Sequence, residues 1–346
     1  MKRIDNVNLR SSRPLITPAE LTDRIRVSES GAENIFRARE EIKAILHGRD
    51  KRRIVIAGPC SIHDMNLARD YADRIHALAK ELEESLLIVM RVYFEKPRTT
   101  VGWKGVITDP RLDDSFRIDE GLRLARSFLV DLAEKGLPAA TEFVDPVIPQ
   151  FIADLVSWTA IGARTAESQK HREMASGLSS PVGIKNGTDG NLATAINGLL
   201  SVSSSHQFLG VNKEGVTTVF ETNGNADAHI VLRGGKRPNY DSVSIRICEE
   251  ELARAGLDRT IMVDCSHGNS RKDHTLQPMV FHDCLKQITG GTESIIGLML
   301  ESNINAGKQK LKDPGSLAYG VSITDACIDW ETTETLLREA ADQLRD

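Results

Sequence analysis

Charged side chains interrupt almost every apolar run in this sequence, and each one stands towards the C-terminal end of its run. The residues concerned are Arg91, Glu142, Arg164, Lys185, Arg233, Asp264, His267 and Glu301. Any one of them alone could form a satisfied core ion pair, because burying an unpaired charge costs several kcal/mol. Eight of them at one end of seven runs are hard to explain by packing. They indicate a site in which the charges act together.

The cations near these positions predict a site for anionic ligands. Guanidinium groups bind phosphate through forked contacts, and lysines add point charges. Seven cations exceed what one phosphate and one carboxylate need, so we expect two anionic substrates bound side by side. The alternative for the loop members is a solvated loop, although the neighbouring Thr99 and Thr100 favour a loop shaped around an anion. The set comprises Arg91, Lys96, Arg98, Lys104, Arg164, Lys185 and Arg233.

A second set could hold a metal ion. It combines one thiol, one imidazole and two carboxylates, a mixture that suits Mn²⁺, Fe²⁺, Co²⁺ or Zn²⁺ better than Mg²⁺ or Ca²⁺. The members are Cys60, His267, Glu301 and Asp325, all expected at strand ends or just after one. Their spacing differs from that of a zinc ribbon, so a buried turn thiol and a satisfied core histidine stay open as alternatives. Cys327 competes as a ligand.

The elements that must position these residues alternate along the chain. Continuous apolar runs suit strands buried on both faces, and helical stretches such as 67–84, 118–135 and 242–255 separate most of them. Eight such runs predict a (β/α)₈ TIM barrel, whose chemistry lies at the C-terminal ends of the strands. A doubly wound sheet is the alternative, weakened because no glycine-rich fingerprint follows the first strand. The runs cover 54–60, 87–94, 138–144, 159–164, 181–187, 229–235, 261–269 and 294–302.

Two additions to the barrel are expected. Residues 1–50 predict an N-terminal arm followed by a charged helix from about Gly31 to Leu46, serving packing, regulation or subunit contact. Residues 51–346 then form the catalytic barrel. Two short runs around Lys213–Gly215 predict a β-hairpin at about 207–224, inserted before barrel strand 6.

The composition excludes several classes of protein. Lys plus Arg total 44 against 49 for Asp plus Glu, and no polybasic run occurs, so neither nucleic acid nor a membrane surface is an expected partner. No apolar stretch approaches the length of a membrane span. Five cysteines without regular spacing argue against a disulfide scaffold and for a reducing cytoplasm. We therefore expect a cytoplasmic enzyme.

Long motifs closely resemble the 3-deoxy-D-arabino-heptulosonate 7-phosphate (DAHP) synthases of the class I type, which aromatic amino acids regulate. The resemblance covers essentially the whole chain. It implies a metal-dependent, aldol-like condensation of phosphoenolpyruvate with erythrose 4-phosphate and water, which yields DAHP and phosphate and opens the shikimate pathway. The motifs are GPCSIHD (58–64), RVYFEKPRTTVGWKG (91–105), SWTAIGARTAESQ (157–169), PVGIKNGTDG (181–190), LRGGKRPNY (232–240), VDCSHGNS (263–270), GLMLESNI (297–304) and YGVSITDACIDWE (319–331).

The resemblance also implies roles for individual residues. One divalent ion per subunit, with Mn²⁺ favoured and Fe²⁺, Co²⁺ or Zn²⁺ as alternatives, would be held by Cys60, His267, Glu301 and Asp325. Phosphoenolpyruvate would contact Arg91, Lys96, Gly162, Ala163, Arg164, Lys185 and Arg233, and erythrose 4-phosphate would contact Arg98, Thr99 and Thr100, with Asp325 also touching substrate. Lys185 and Glu142 are the candidates for proton handling, and Lys96 and His267 complete the catalytic set. Ala166 replaces the usual Thr, removing a hydroxyl expected beside the phosphate.

Members of this type bind an aromatic amino acid away from the barrel mouth, at a site built partly by the arm and the hairpin. The matching positions are Pro149, Gln150, Ser179, Phe208, Gly210 and Phe220. Gly210 stands where phenylalanine-regulated members tend to carry Ser, which favours tyrosine as the inhibitor. The resemblance further implies a homodimer or homotetramer in which the arm reaches across subunits.

Three rival functions remain at this stage. Lys185 could be the Schiff-base lysine of a metal-free aldolase. A related synthase could make an octulosonate phosphate, although the KPRTT loop speaks against it. A non-catalytic amino-acid sensor would be expected to have lost metal or phosphate residues, and none is missing.

Overall fold

The computed structural model describes residues 4–345 and contains a closed barrel of eight parallel strands. The ten strands are β1 (Arg53–Gly58), β2 (Leu86–Arg91), β3 (Ala139–Glu142), β4 (Trp158–Ile161), β5 (Val182–Lys185), β6 (Gln207–Val211), β7 (Thr217–Glu221), β8 (Ala228–Leu232), β9 (Ile261–Asp264) and β10 (Ile295–Glu301). Around the barrel they follow the order β1-β10-β9-β8-β5-β4-β3-β2, with β2 pairing back to β1. The predicted TIM barrel is thus confirmed, and the doubly wound alternative is wrong.

The hairpin lies outside the barrel. β6 and β7 pair antiparallel with each other, while β5 pairs directly with β8, the sixth barrel strand. The prediction of a hairpin inserted at this point is therefore confirmed. Along both hairpin strands more and less exposed residues alternate, whereas the barrel strands are almost wholly buried.

Helices run between the strands and cover the barrel. They are α1 (Pro18–Arg24), α2 (Glu29–Leu46), α3 (Met65–Glu81), α4 (Ile118–Lys135), α5 (Pro149–Ile152), α6 (Gln169–Ser176), α7 (Leu192–Val202), α8 (Ser242–Arg254), α9 (Gln277–Thr289) and α10 (Trp330–Leu344). Most begin at a polar cap: the carboxylates of Asp64 and Asp241, for example, accept backbone N–H groups of α3 and α8. No helix within residues 4–345 is long and apolar enough to cross a membrane.

The N-terminal extension packs on the barrel through one buried and one partly buried arginine. Arg126 of α4 is fully buried, donates to the Ile25 carbonyl 2.9 Å away, and pairs with Asp154. Arg39 of α2 donates to backbone carbonyls after α5, including that of Val156 at 2.7 Å. Because these contacts satisfy charges that would be costly to bury unpaired, they fix the extension against the α5 region.

The closed barrel explains where the charged residues converge. Arg91, Glu142, Lys185, Asp264 and Glu301 are the last residues of five different strands. Parallel strands end at the same face of the barrel, so all five side chains are carried to one mouth.

Candidate active site at the mouth of the barrel

The mouth contains a cavity of about 590 Å³. Its lining includes every residue predicted to touch substrate: Arg91, Lys96, Arg98, Thr99, Thr100, Gly162, Ala163, Arg164, Lys185, Arg233 and Asp325. Glu142, His267 and Glu301 line it as well. Residues from seven of the barrel's strand ends and the segments after them thus face one space, large enough for two small molecules.

Arg91 and Glu301 form a buried ion pair at the floor. Nη2 of Arg91 lies 2.9 Å from Oε1 of Glu301, and both side chains are almost completely buried. The guanidinium also lies over the ring of Tyr93, 3.5 Å from its centroid, and donates to the Pro59 carbonyl. These contacts fix the direction in which the remaining face of Glu301 points.

The predicted metal ligands lie close together. Donor atoms of Cys60, Glu301 and Asp325 are all within 4.8 Å of one another. His267 presents Nε2 3.7 Å from Oε1 of Glu301, and its backbone adopts a left-handed φ of 54°. The thiol and the two carboxylates form one group, and His267 lies outside it but turns Nε2 towards Glu301. This mixture of donors fits a divalent transition metal.

Asp264 orients two of these functional side chains. Its buried carboxylate lies 2.8 Å from Nζ of Lys185 and 2.9 Å from Nδ1 of His267. Burial alone would raise the pKa of Asp264, but the charges of His267 and Lys185 outweigh burial and hold that pKa well below its usual range. Because Nδ1 of His267 faces Asp264, the other ring nitrogen, Nε2, faces Glu301 and the other possible metal donors.

Cys60 and Lys96 contact each other. Nζ of Lys96 lies 3.1 Å from the Cys60 sulfur and 3.2 Å from the Cys60 carbonyl. Burial, followed by the Glu301 charge, raises the pKa of the Cys60 thiol to about 11, although Lys96 opposes this. The thiol therefore needs a strong cation beside it to ionise at neutral pH.

Glu142 has a free acceptor above the floor. Among residues 4–345 its buried Oε1 has no hydrogen-bond partner, and a Cβ at Gly162 would lie 2.0 Å from that atom. Only glycine therefore leaves room for this carboxylate beside the turn after β4. Arg164 lies in the same turn, and its Nε donates to the Thr99 hydroxyl at 3.3 Å. This contact joins the turn after β4 to the loop after β2, the two segments predicted to contact the substrate phosphates.

Three expectations about the mouth are wrong. Lys104 is exposed and does not line the cavity. Ala166 is buried in the hydrophobic core, because its N–H bonds back to the Gly162 carbonyl and turns the chain inward. Asp325 does not follow a strand end; it lies in the irregular segment between β10 and α10.

The sequence also left several lining residues unassigned. Gln277 of α9 donates to the Glu301 carbonyl and accepts the Glu301 N–H, so it holds the backbone of that ligand. The other unassigned residues with polar side chains are Thr188, Lys236, Ser266, Ser270, Lys272, His274 and Thr324. Most follow a barrel strand by only a few positions, which is the signal that could have found them. Gln277 gave no signal, because it comes from a helix.

The sequence profile of the DAHP synthetase I family matches residues 25–338. The chain belongs to this family. It is 53% identical over 337 residues to the Tyr-sensitive phospho-2-dehydro-3-deoxyheptonate aldolase of Escherichia coli K12, covering 97% of this chain and 95% of that relative. It is 50% identical to the Phe-sensitive aldolase of the same organism, covering 99% and 97% of the two chains. The resemblance to the aromatic-regulated DAHP synthases is confirmed.

A solved structure extends the likeness to three dimensions. The phospho-2-dehydro-3-deoxyheptonate aldolase of Francisella tularensis SCHU S4 superposes with a TM-score of 0.95 at 45% identity. The alignment covers 98% of this chain and 99% of that structure. The whole barrel with its additions is therefore a fold of the DAHP synthetase I family.

A second cavity, of about 370 Å³, lies between the hairpin and the α5–α6 region. Five of the six predicted effector residues line it: Pro149, Gln150, Phe208, Gly210 and Phe220. Ser179 is exposed and lies outside the lining. Within residues 4–345 no part of the N-terminal arm lines this cavity either; Ala19 instead donates to the Lys213 carbonyl at the hairpin turn.

Proposed function

We propose that this member of the DAHP synthetase I family condenses phosphoenolpyruvate with erythrose 4-phosphate and water to give DAHP and phosphate. The observation that carries the proposal is the convergence of two cationic sets and one metal-type donor group on a single cavity. Arg164, Lys185 and Arg233 supply one set, and Arg98 with the two threonines supplies the other. Two anionic substrates and a polarised carbonyl need this combination of groups.

The residues suit the bond changes of this reaction. C3 of phosphoenolpyruvate forms a bond to the aldehyde carbon, water adds at C2, and the C–O bond to phosphate then breaks. Lys185, paired with Asp264, is in position to hold a proton near C2, and the free Oε1 of Glu142 can accept a hydrogen bond from the attacking water. The cations offset the repulsion between the two phosphates and orient them.

We infer that Cys60, His267, Glu301 and Asp325 hold one divalent ion, with Mn²⁺ favoured over Fe²⁺, Co²⁺ and Zn²⁺. When bound there, such an ion would supply Lewis acidity towards the aldehyde oxygen. The mixture of soft and hard donors supports a transition metal rather than Mg²⁺ or Ca²⁺. The ion pair between Lys185 and Asp264 speaks against the Schiff-base alternative, because it occupies the amine.

Phosphate release from the two substrates tests the reaction. The purified protein should release phosphate only when both substrates are present, lose activity on chelation, and regain it with added Mn²⁺. Activity that survives chelation, together with borohydride trapping of substrate on Lys185, would establish the Schiff-base aldolase instead. An inactive protein that still binds aromatic amino acids would be a sensor.

We further propose that tyrosine inhibits by binding in the hairpin cavity. The rings of Phe208 and Phe220 lie 5.7 Å apart there, which suits an aromatic ligand. Gly210 has no side chain, so the Phe220 ring can lie where a Cβ would come within 2.8 Å of it. The Tyr-sensitive relative supports this choice, although the Phe-sensitive one is almost as similar. Comparing phosphate release with each aromatic amino acid present identifies the inhibitor: the proposal requires tyrosine to act at the lowest concentration.

A homodimer or homotetramer is the proposed assembly, with residues 1–50 as the regulatory and contact element. Strand alternation turns Leu209 and Val219 away from the cavity, and they are 66% and 63% exposed. Apolar residues of the arm, such as Ile4 and Val7, are exposed as well. Light scattering should report a multiple of the 38.1 kDa chain, and replacing Leu209 and Val219 by Lys should lower that mass.

A further inference from the structure

Two lysines of the mouth have no role in the chemistry described above. Lys236 follows β8, Lys272 follows β9, and both line the cavity with exposed side chains. Within residues 4–345 neither ammonium group has an ion-pair or hydrogen-bond partner. Two cations that face one cavity without a neighbouring anion leave uncompensated positive charge at the rim of that cavity.

The backbone beneath these lysines is closely packed. The turns after β5, β8 and β9 touch through glycines: a Cβ at Gly235 would lie 2.2 Å from the Gly190 nitrogen, and one at Gly268 would lie 2.5 Å from the Gly235 nitrogen. The Lys272 N–H donates to the His267 carbonyl at 2.7 Å. Both lysines therefore project from a wall that only glycines allow to form, and not from a loose loop.

The turn that carries Lys272 also holds unusual backbone conformations. His267, Arg271 and Lys272 have φ values of 54°, 53° and 62°, although none is glycine. Left-handed residues of this kind are strained and persist only where the surroundings enforce them. The surrounding structure thus holds this turn in a strained backbone conformation, as expected of a segment with a function.

A charge count shows that the cations already assigned do not by themselves balance the two substrates. The lining holds eight Lys and Arg residues against three carboxylates, Glu142, Glu301 and Asp325, and buried Asp264 adds a fourth carboxylate through its ion pair with Lys185. With a bound divalent ion, the six cations already assigned and these four carboxylates leave a net charge of about +4. The two substrates carry about −5, at roughly −2 per phosphate plus one carboxylate. Lys236 and Lys272 therefore supply positive charge for phosphate groups that the assigned cations do not provide.

The position of the two lysines suggests which anion they meet. β8 lies opposite β2 in the barrel order, so Lys236 is across the mouth from the Arg98–Thr100 loop. It is close in sequence to Arg233, which is assigned to phosphoenolpyruvate. The nearby carboxylates of Asp189 and Asp273 are turned to backbone N–H groups and do not line the cavity.

We propose that Lys236 and Lys272 form a rim site for phosphate, distinct from the reacting position. It would receive the phosphate of arriving phosphoenolpyruvate and hold inorganic phosphate as it leaves. This assignment rests on the proposed synthase reaction, which consumes one of these anions and produces the other. The site raises the local concentration of phosphate groups on the β8–β9 side and leaves the approach of erythrose 4-phosphate unaffected.

The test compares the double variant K236Q/K272Q with K51Q/K80Q, which loses the same charge from exposed lysines at the opposite end of the barrel. In the first variant kcat/KM for phosphoenolpyruvate should fall about ten-fold and lose most of its salt dependence, as steering predicts. kcat/KM for erythrose 4-phosphate should stay within about two-fold, and the control should match the wild type. Salt dependence separates a steering site from a damaged fold.

A direct measurement separates failure of this site from failure of the synthase reaction. Calorimetric titration of inorganic phosphate into the Mn²⁺-loaded wild type, saturated with phosphoenolpyruvate, should count one more phosphate per chain than in K236Q/K272Q. That count needs no turnover, so it stands even if the wild type makes no DAHP. Equal counts, an unchanged kcat/KM for phosphoenolpyruvate, or equal losses for both substrates would each overturn the rim site.

Discussion

Oδ2 of Asp264 lies 2.9 Å from Nδ1 of His267, and this contact turns the other ring nitrogen towards Glu301. The same oxygen lies 2.8 Å from Nζ of Lys185. One buried carboxylate thus orients both His267, a predicted metal ligand, and Lys185, a lysine predicted to contact substrate. Metal-binding histidines commonly depend on such a partner for ring orientation and basicity.

We therefore expect Asp264→Asn to weaken metal binding. The amide keeps the shape but loses the charge, so Mn²⁺ affinity should fall about 10–100-fold, the usual effect of losing such a partner. Titration of the stripped protein with Mn²⁺ measures this. Ser266→Ala is the matched control, because Ser266 contacts the same Nδ1 at 2.7 Å without carrying charge. Wild-type Mn²⁺ affinity in the Asp264→Asn variant would show that Asp264 matters only for Lys185.

The two cysteines near Asp325 should respond differently to replacement by Ser. The Cys60 sulfur belongs to the cluster of possible metal donors, whereas Cys327 lies outside it and donates to the Asp325 carbonyl. Cys60→Ser should lower affinity for thiophilic Zn²⁺ more than for Mn²⁺, because the harder hydroxyl replaces a thiolate. Cys327→Ser should keep both affinities. If Cys327→Ser loses the metal instead, the ligand set has to be redrawn.

The sequence predicted most of the mouth for a physical reason. A charge inside an apolar strand, as at Arg91 or Lys185, is costly unless it has a partner, so its presence indicates a site. Asp325 was predicted as a ligand but with the wrong position, because it reaches the mouth along an irregular segment with isolated bridges around it and not at a strand end. The expectation that residue 166 lies beside the phosphate was wrong, because closeness to Arg164 along the chain does not place both side chains on the same face of a turn.

Gly210→Ser should change which amino acid inhibits. A Cβ at position 210 would lie 2.8 Å from the Phe220 ring, so the ring must shift and the hairpin cavity must lose space. The ratio of the tyrosine to the phenylalanine inhibition constant should rise about 10-fold or more, the scale of discrimination that one small group gives in a pocket. Inhibition of phosphate release measures both constants.

The control for this change is Thr217→Ser, a mild substitution at the exposed end of the same hairpin. It should leave the ratio of inhibition constants unaltered. An unchanged ratio in Gly210→Ser would mean that Gly210 only shapes the hairpin, and that another residue selects the inhibitor.

Acid stability should depend on His229, which lies inside the barrel away from the mouth. Trp158 donates to its Nε2 at 3.1 Å, and burial lowers its pKa from 6.5 to about 4. Because the folded-state pKa is depressed, protonation favours the unfolded chain. The stability contributed by the neutral ring is complete above pH 6.5 and falls between pH 6.5 and 4. The loss is about 1.4 kcal/mol per pH unit and about 3 kcal/mol in all.

His229→Gln tests this, since the amide oxygen can still accept from Trp158 but cannot titrate. The variant should be less stable than the wild type at pH 7, because glutamine fills the ring's space imperfectly. Its free energy of unfolding should nevertheless fall less steeply between pH 6.5 and 4.5, so the two curves converge on acidification. His282→Gln, which removes a half-exposed histidine paired with Glu339, should retain the wild-type slope. Parallel curves for His229→Gln and the wild type would mean that other groups dominate acid unfolding.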